Sequence, residues 1–351
     1  MVREIWARGV VANGGPVQGR LERALEARLR WPTTCVVGNG TVALQLLGAA
    51  AGLRDHNGRD EVIVGSFTHA ATFQALRAIG LRVVVADVDP VFLTADPEYV
   101  RRLISARTAG IVVTHTLGVA AEVDVLESVA REHGVPILFD AAAAVGVDWR
   151  GRSIADAGDG SAFSLHATKV LCAVEAGAVA TKHAGLAARL HILRNFGIDN
   201  EQNCADLLGT NGKADELVCA VGLASLDGLE AEIAARIELL QRYRDGLDLP
   251  WLSFLDQRPG ATSNGAVCAV RARGRGGRPL ADEIHSVLHS EGIQSRRYFS
   301  GAYAVPAVTG SGPTPEADRA REDVLCLPLW GKMGPEVVDA VCAAVRGAVR
   351  Q

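Results

Sequence analysis

From residue 35 to about residue 181 the chain repeats one unit: a short apolar run of strand length, then a run with apolar residues at helical spacing. The strand candidates are EVIVGS (61–66), RVVVADVD (82–89), AGIVVTHT (109–116), PILFDA (136–141), GSAFSL (160–165) and GAVAT (177–181). Between them lie the helical patterns TVALQLLGAAAG, ATFQALRAIG, DPEYVRRLIS and VDVLESVAREHG. Short apolar strands must be covered on both faces, and intervening helices let them run parallel. The pattern therefore predicts an α/β chain around a central, mostly parallel sheet. Ligands on such sheets bind beyond the carboxyl ends of the strands. Residues 214–247 read as one long helix or a helix pair. The strand GAVCAVRA (265–272), the loop RGRGGRP (273–279) and two further helical runs follow, PLADEIHSVLHSEG and PEVVDAVCAAVRGAV. With 351 residues to place, we expect a large domain over 1–230 and a smaller C-terminal domain over 231–351.

The charge balance narrows the partners. A net charge of -4 gives no basic footprint, which argues against nucleic acid. No apolar run is long enough to span a bilayer, and the start MVREIWARGVVANGGP has no apolar core of a secretory signal. Seven scattered cysteines without a CxxC pair argue against a disulfide framework or a zinc site, and for a reducing cytoplasm.

Three segments carry candidate chemistry. In VVGNGTVAL, Gly38, Gly40 and Ala43 satisfy G-x-G-x-x-G/A, the pattern of a dinucleotide-binding turn. The context fits poorly, because Asp60 and Glu61 open a strand where the ribose-binding acid should close one. The plainer reading is a glycine turn with Thr41 at a helix start, which either holds a phosphate on free N–H groups or only caps the helix. In PILFDAAAA, Asp140 ends an apolar strand; it can ligate a metal, orient a base, pair with a heterocycle nitrogen, or cap the next turn. In FSLHATKVLCAVEAGAV, Lys169 sits among small and apolar residues in a chain with only four lysines. Burial lowers a lysine's pKa and makes its amine a nucleophile able to form a Schiff base, whereas a lysine at a loop can simply extend to water. Ser164 lies just upstream with a hydroxyl suited to phosphate. Together an anion cradle, an acid and an amine come in the chain order of a pyridoxal phosphate (PLP) site.

These residues resemble the DegT/StrS family of nucleotide-sugar aminotransferases, which have the aspartate aminotransferase fold, PLP-dependent transferase fold type I. The similarity covers nearly the whole chain through GNGTVALQL, DEVIVGSFTHAAT, LRVVVADVDP, ILFDAAAA, FSLHATK, LRNFGI, NGKADELVCAVGLASL and VLCLPL. It implies that Lys169 is the Schiff-base lysine and that Asp140 pairs with the pyridine nitrogen. Gly40, Thr41 and Ser164 would bind the phosphate, and His69 would stand where the family has an aromatic stacked on the ring. Asn211 would reach the phosphate of the partner subunit, so a homodimer is implied. Arg296, Arg297 and Tyr298 resemble a segment near the sugar site. His166 belongs to the HATK pattern, and a structural hydrogen bond is expected of it. Three departures stand out. Ala143 replaces the Gln or His that contacts the ring oxygen. Ala176 replaces a glycine, which would tighten the turn near the cofactor. GAYAVPAV lacks the Cys-His of the subgroup with RRYFS.

The resemblance implies an aminotransferase that takes the amino group of L-glutamate and passes it to the keto group of a nucleotide-linked hexose. RRYFS resembles enzymes that aminate C4 of a dTDP-4-keto-6-deoxyhexose, which favours C4 over C3. A sugar dehydratase of the same fold carries histidine in place of the lysine, so Lys169 speaks against it. An idle PLP or nucleotide-sugar binding protein is the alternative that Ala143 leaves open.

Overall fold

The structure, a computed structural model, describes residues 1–12, 14–54, 58–199, 201, 203–299 and 312–349. Its main sheet has seven strands: β1 (Thr33–Val37), β2 (Glu61–Gly65), β3 (Arg82–Ala86), β4 (Thr108–Thr114), β5 (Ile137–Asp140), β8 (Gly160–Ser164) and β9 (Gly177–Thr181). A two-stranded hairpin of β6 (Asp148–Trp149) and β7 (Arg152–Ser153) lies between β5 and β8 in the chain. The sheet order is β1-β9-β8-β5-β4-β2-β3. β3, β2, β4, β5 and β8 run parallel, while β9 runs antiparallel to both β8 and β1. Each strand expected from the sequence is present. The topology also removes the dinucleotide reading of GNGTVA, because that turn needs a parallel strand and β1 is an antiparallel edge strand.

The helices are α1 (Val2–Arg8), α2 (Pro16–Leu29), α3 (Gly40–Ala50), α4 (Ala70–Ala78), α5 (Pro97–Leu103), α6 (Val123–His133) and α7 (Ala184–Arg194), then α8 (Glu216–Asp227) and α9 (Leu229–Gly246). They cover the sheet with two apolar layers. One holds Val36, Ile63, Ile111 and Phe139; the other holds Val37, Val62, Val112 and Leu138. This is the alternation that a strand buried on both faces must show. α1, α2 and α7 were not among the elements anticipated. The start of α2 is fixed from across the fold, since buried Glu216 accepts from the N–H groups of Val17 (2.9 Å) and Gln18 (2.8 Å). Gly15 makes room for that carboxylate, because a Cβ there would lie 2.4 Å from the Glu216 Cδ.

A second, antiparallel sheet of β10 (Leu252–Phe254), β11 (Cys268–Ala272) and β12 (Val324–Leu327) packs with α10 (Ala281–Ser290) and α12 (Pro335–Ala348) around its own apolar core. α9 runs from one core to the other: Leu229 and Ile233 pack in the first, Leu239 and Tyr243 in the second. The final helix before β12, α11 (Pro315–Asp323), is tied to the large sheet, where Asp87 accepts from the N–H groups of Glu316 and Ala317. Among the described residues no helix is long and apolar enough to cross a membrane.

Candidate active site

The carboxyl ends of β4, β5 and β8 meet at one place, and Asp140 closes the middle strand. Thr114 is its register partner on β4 and Ala162 on β8. The Asp140 side chain is buried and held at both oxygens: Oδ1 accepts from the Ala142 N–H (3.1 Å) and Oδ2 from the Thr72 hydroxyl (2.6 Å). Thr72 lies 3.0 Å from the hydroxyl of Thr68, which lies 2.7 Å from that of Thr114. A file of three hydroxyls thus leads from the strand end to the carboxylate. The sequence reading missed it; the only local trace is Thr68 and Thr72, four residues apart, the second on the first turn of α4.

The glycine turn lies alongside. Asn39 caps α3 through its side chain on Val42 N–H (2.9 Å). Among the described residues the N–H groups of Gly40 and Thr41 have no acceptor, as the first turn of a helix requires. A Cβ on Gly40 would stand 2.8 Å from the Ser164 Cβ, so only glycine brings the helix start against the end of β8. Gly177 on β9 does the same from the other side, its missing Cβ falling 2.4 Å from the Asn39 carbonyl oxygen. This second glycine was not singled out in the sequence. Two free N–H groups, a helix N-terminus and the Ser164 hydroxyl form an anion cradle.

Lys169 sits on the loop between β8 and β9. That loop is closed by Leu165 N–H to Ala176 O (2.8 Å), Ala167 N–H to Val174 O (2.9 Å) and Lys169 N–H to His166 O (2.9 Å). Burial lowers the pKa of the Lys169 amine; the Asp140 carboxylate opposes this and the Arg296 guanidinium adds to it. A cavity of about 420 Å³ has Gly40, Thr41, His69, Asp140, Ser164 and Lys169 in its wall. A second cavity of about 370 Å³ adjoins it across Ala142, Ala143, Lys169, Arg296 and Tyr298. His69 is the N-cap of α4, with Nδ1 accepting from the Ala71 N–H at 3.1 Å. Partial desolvation lowers its imidazole pKa, as does Lys169, while Asp140 raises it.

Several expectations fall elsewhere. Arg297 is not in the wall of either cavity. Its guanidinium donates to the carbonyls of Val324, Arg321 and Glu322 and pairs with Asp282, so it braces the small domain, and its expected place at the sugar is corrected. Asn211 is exposed and outside both cavities of its own chain. His166 holds its own turn, Nδ1 accepting from the Thr168 N–H at 3.1 Å. The Ala143 methyl lies between the cavities, and its carbonyl accepts from Asn264 (2.9 Å). The expectation for Ala176 is also corrected: it is buried with an ordinary backbone, and the strain sits at Val174, half exposed with φ +61°. A β-branched residue in the left-handed region is costly. Val174→Gly is expected to raise stability by about 1 kcal/mol and the melting temperature by about 2 °C. Scanning calorimetry checks it, and a lower melting temperature would show that the turn is not strained. GAYAVPAV lies outside the described residues.

His115, just past β4, is fully buried, stacked on Phe139 (centroids 4.9 Å apart), with Nδ1 accepting from the Ala121 N–H. Burial pushes its pKa down to about 3. The unfolded chain protonates it near 6.5. Between those values the unfolded state binds the extra proton, so stability present above pH 6.5 is lost as pH falls, by about 1.4 kcal/mol per unit. Urea unfolding at pH 7 and pH 5 should show this loss, and His115→Gln should flatten it while lowering stability at pH 7. An unchanged slope would mean that His115 does not titrate on unfolding.

Comparisons with known proteins identify the family. The model of the DegT/DnrJ/EryC1/StrS aminotransferase family matches residues 1–346. The chain is 32% identical to the erythromycin biosynthesis sensory transduction protein EryC1 of Saccharopolyspora erythraea, covering 97% of this chain and 93% of that one. It is 29% identical to the dTDP-4-amino-4,6-dideoxy-D-glucose transaminase of Shigella dysenteriae, with the same coverage of 97% and 93%. It is 33% identical to the dTDP-3-amino-3,4,6-trideoxy-alpha-D-glucose transaminase of Streptomyces venezuelae, over 90% and 81%. Among solved structures, DesI in the presence of its TDP-sugar product is similar at a TM-score of 0.92 and 35% identity, over 98% of this chain and 88% of that one. By sequence and by fold, the chain belongs to the DegT/DnrJ/EryC1/StrS aminotransferase family.

Proposed function

We propose that this chain is a PLP-dependent aminotransferase that moves an amino group from L-glutamate to the keto group of a nucleotide-linked deoxyhexose, dTDP-linked and at C4 in preference to C3. The observation that carries it is Lys169 and Asp140 in the wall of one cavity with an anion cradle beside them. That set fits the cofactor: the cradle for its phosphate, the buried carboxylate for its ring nitrogen, His69 against the ring, and the Lys169 amine for its carbonyl carbon. When bound, the cofactor supplies a sink for the electron pair left when Cα of the donor loses its proton.

The chain's own residues do the rest. Asp140, held by Thr72 and the Ala142 N–H, would pair with the ring nitrogen and hold a proton there. Lys169, with its pKa lowered, takes the proton from Cα as a free amine and returns it on the other side of the reaction. The same two steps in reverse deliver the amino group to the hexose. Tyr298 and Arg296 stand where the adjoining cavity opens, on the side where the hexose would enter. The reading keeps the cofactor-binding domain at 1–230 and places both residues on the small domain, 231–351. It also assigns Asn211 to the cradle of the partner subunit in a homodimer, for which its exposure leaves it available.

The printed activities of the relatives include both 3-amino and 4-amino sugars. The test is therefore a panel of 3-keto and 4-keto deoxyhexoses carried by dTDP, UDP and GDP, each incubated with L-glutamate and followed by mass spectrometry. Exchange of carbonyl oxygen for an amino group on the dTDP-4-keto sugar is the expected result. Conversion confined to 3-keto sugars, or to another nucleotide, would overturn that assignment.

A further inference from the structure

We propose that Asn264, on the small domain, is a positioning residue for Asp140: it fixes the alanine turn that holds one oxygen of that carboxylate. This rests on the aminotransferase reading above, in which Asp140 pairs with the ring nitrogen of PLP. Asn264 lies in the link between β10 and β11 and is only 1% exposed. Its side-chain NH2 donates to the carbonyls of Ala143 (2.9 Å) and Val145 (2.8 Å), and its oxygen accepts from the Ala266 N–H (3.0 Å). A carbonyl can only accept and a backbone N–H can only donate, so these partners permit a single orientation of the amide.

The turn runs from Asp140 to Val145, and every residue between them, Ala141 to Ala144, is alanine. Alanine side chains cannot hydrogen-bond, so only the backbone can hold such a turn in shape. Inside it the Ala144 N–H donates to the Ala141 carbonyl (2.8 Å) and the Ala142 N–H to Oδ1 of Asp140 (3.1 Å). The carbonyls of Ala143 and Val145 go to Asn264, so one NH2 group ties two peptide units of the turn to the other domain. The junction is close-packed. A Cβ on Gly118 (φ +88°) would stand 2.9 Å from the Ala266 Cβ and 3.1 Å from the Ala143 oxygen. Gln257 ties the same loop to the small domain, donating to the Gly118 carbonyl (2.6 Å) and accepting from the Ala120 N–H (3.1 Å).

Asp140 therefore has two holds of different origin. Thr72 grips Oδ2 from the large domain, and the turn grips Oδ1 with its own shape fixed from the small domain. Two holds fix the plane of a carboxylate; with one, it rotates about the bond to its Cβ. A charged hydrogen bond weakens steeply as it leaves the line between donor and acceptor, so that rotation would weaken the pairing with the ring nitrogen. Asn264 touches the carboxylate nowhere and acts on it through the turn. The methyl of Ala143 adds no polar contact of its own, which leaves the backbone as all that this turn contributes to the cavity wall.

The test uses the whole protein freed of cofactor and two ligands, PLP and 1-deazapyridoxal phosphate, which carries a C–H where PLP has its ring nitrogen. Both offer the same phosphate and aldehyde, so the difference in affinity reads the Asp140 pairing. The parent should bind PLP about 10- to 100-fold more tightly than the analogue, as expected of a charged hydrogen bond. Thr72→Val, which removes the direct hold on Oδ2, should shrink that preference about tenfold. Asn264→Ala should shrink it about threefold or more, weakening PLP while the analogue stays within about twofold of the parent. Asn264→Ser serves if the alanine variant does not fold, and the same selective loss is expected of it. An equal loss of both ligands in the Asn264 variants would overturn the proposal and leave Asn264 a structural tie between the domains. An unchanged preference would overturn it too. A parent that binds the two ligands alike would instead contradict the pairing of Asp140 with the ring nitrogen, which keeps the two failures apart.

Discussion

Lys169→Ala is expected to lower amino transfer from L-glutamate by about 10³-fold or more while the protein still folds. In the proposed reaction the amine moves the proton, and among the described residues no other base shares its position: His69 caps α4 with Nδ1, and His166 is turned onto Thr168. Among the described residues the Lys169 side chain makes no hydrogen bond; it is the backbone of Lys169 that closes the turn, on His166 O. Melting temperature should therefore stay within a few degrees. Lys169→Arg separates the charge from the proton. Arginine keeps the cation facing Asp140 but does not deprotonate in a protein, so it should be as inactive as alanine. Steady-state rates with L-glutamate, beside a melting curve for each variant, check this. An arginine variant with a tenth of the parent activity would show that Lys169 acts as a cation and not as a base.

Asp140→Asn has the second large effect, a fall in turnover on the order of 10²- to 10³-fold with stability nearly unchanged. The hydroxyl file explains why the fold should tolerate it. In the parent, Thr72 donates to Oδ2 and the Ala142 N–H to Oδ1. An asparagine can keep its oxygen on the Ala142 N–H and offer its amide to the Thr72 hydroxyl, which then donates back to Thr68, and Thr68 to Thr114. Thr68 and Thr72 each can donate and accept, so the file can reverse, and Thr114, which lines the cavity, then turns its O–H into it. What disappears is the negative charge that, in the proposed reaction, would hold a proton on the ring nitrogen. Rate measurements on folded Asp140→Asn read the charge alone. A variant with near-parent turnover would remove Asp140 from the proposed chemistry.

The strand and helix alternation was enough to anticipate the main sheet, because each strand is buried on both faces and so reads as an unbroken apolar run. Asp140 and Lys169 were legible for the complementary reason: each is a charge set in a small, apolar neighbourhood at a strand's end. The cradle was legible as a glycine turn. Its counterpart Gly177 was not, since its importance lies in a close approach to Asn39, far away in the chain. The Thr68, Thr72 and Thr114 file was hidden similarly, its last link running from the loop after β2 to the end of β4. Arg296 and Arg297 are adjacent and alike in sequence, yet their side chains part, one to the cavity and one to the carbonyls before β12. Nothing in RRYFS states which does which. Ala176 drew notice as a missing glycine, but backbone strain belongs to Val174, and only the torsion angles show that.

The most direct measurement of the central claim is a single turnover: purified protein with PLP, L-glutamate added without any acceptor, the visible absorption followed and 2-oxoglutarate assayed. The visible band should be lost while about one 2-oxoglutarate forms per cofactor bound, and Lys169→Ala should give neither. A protein that binds PLP and glutamate but leaves the band unchanged and releases no 2-oxoglutarate would contradict it, and would make the chain a binding protein built on an aminotransferase fold.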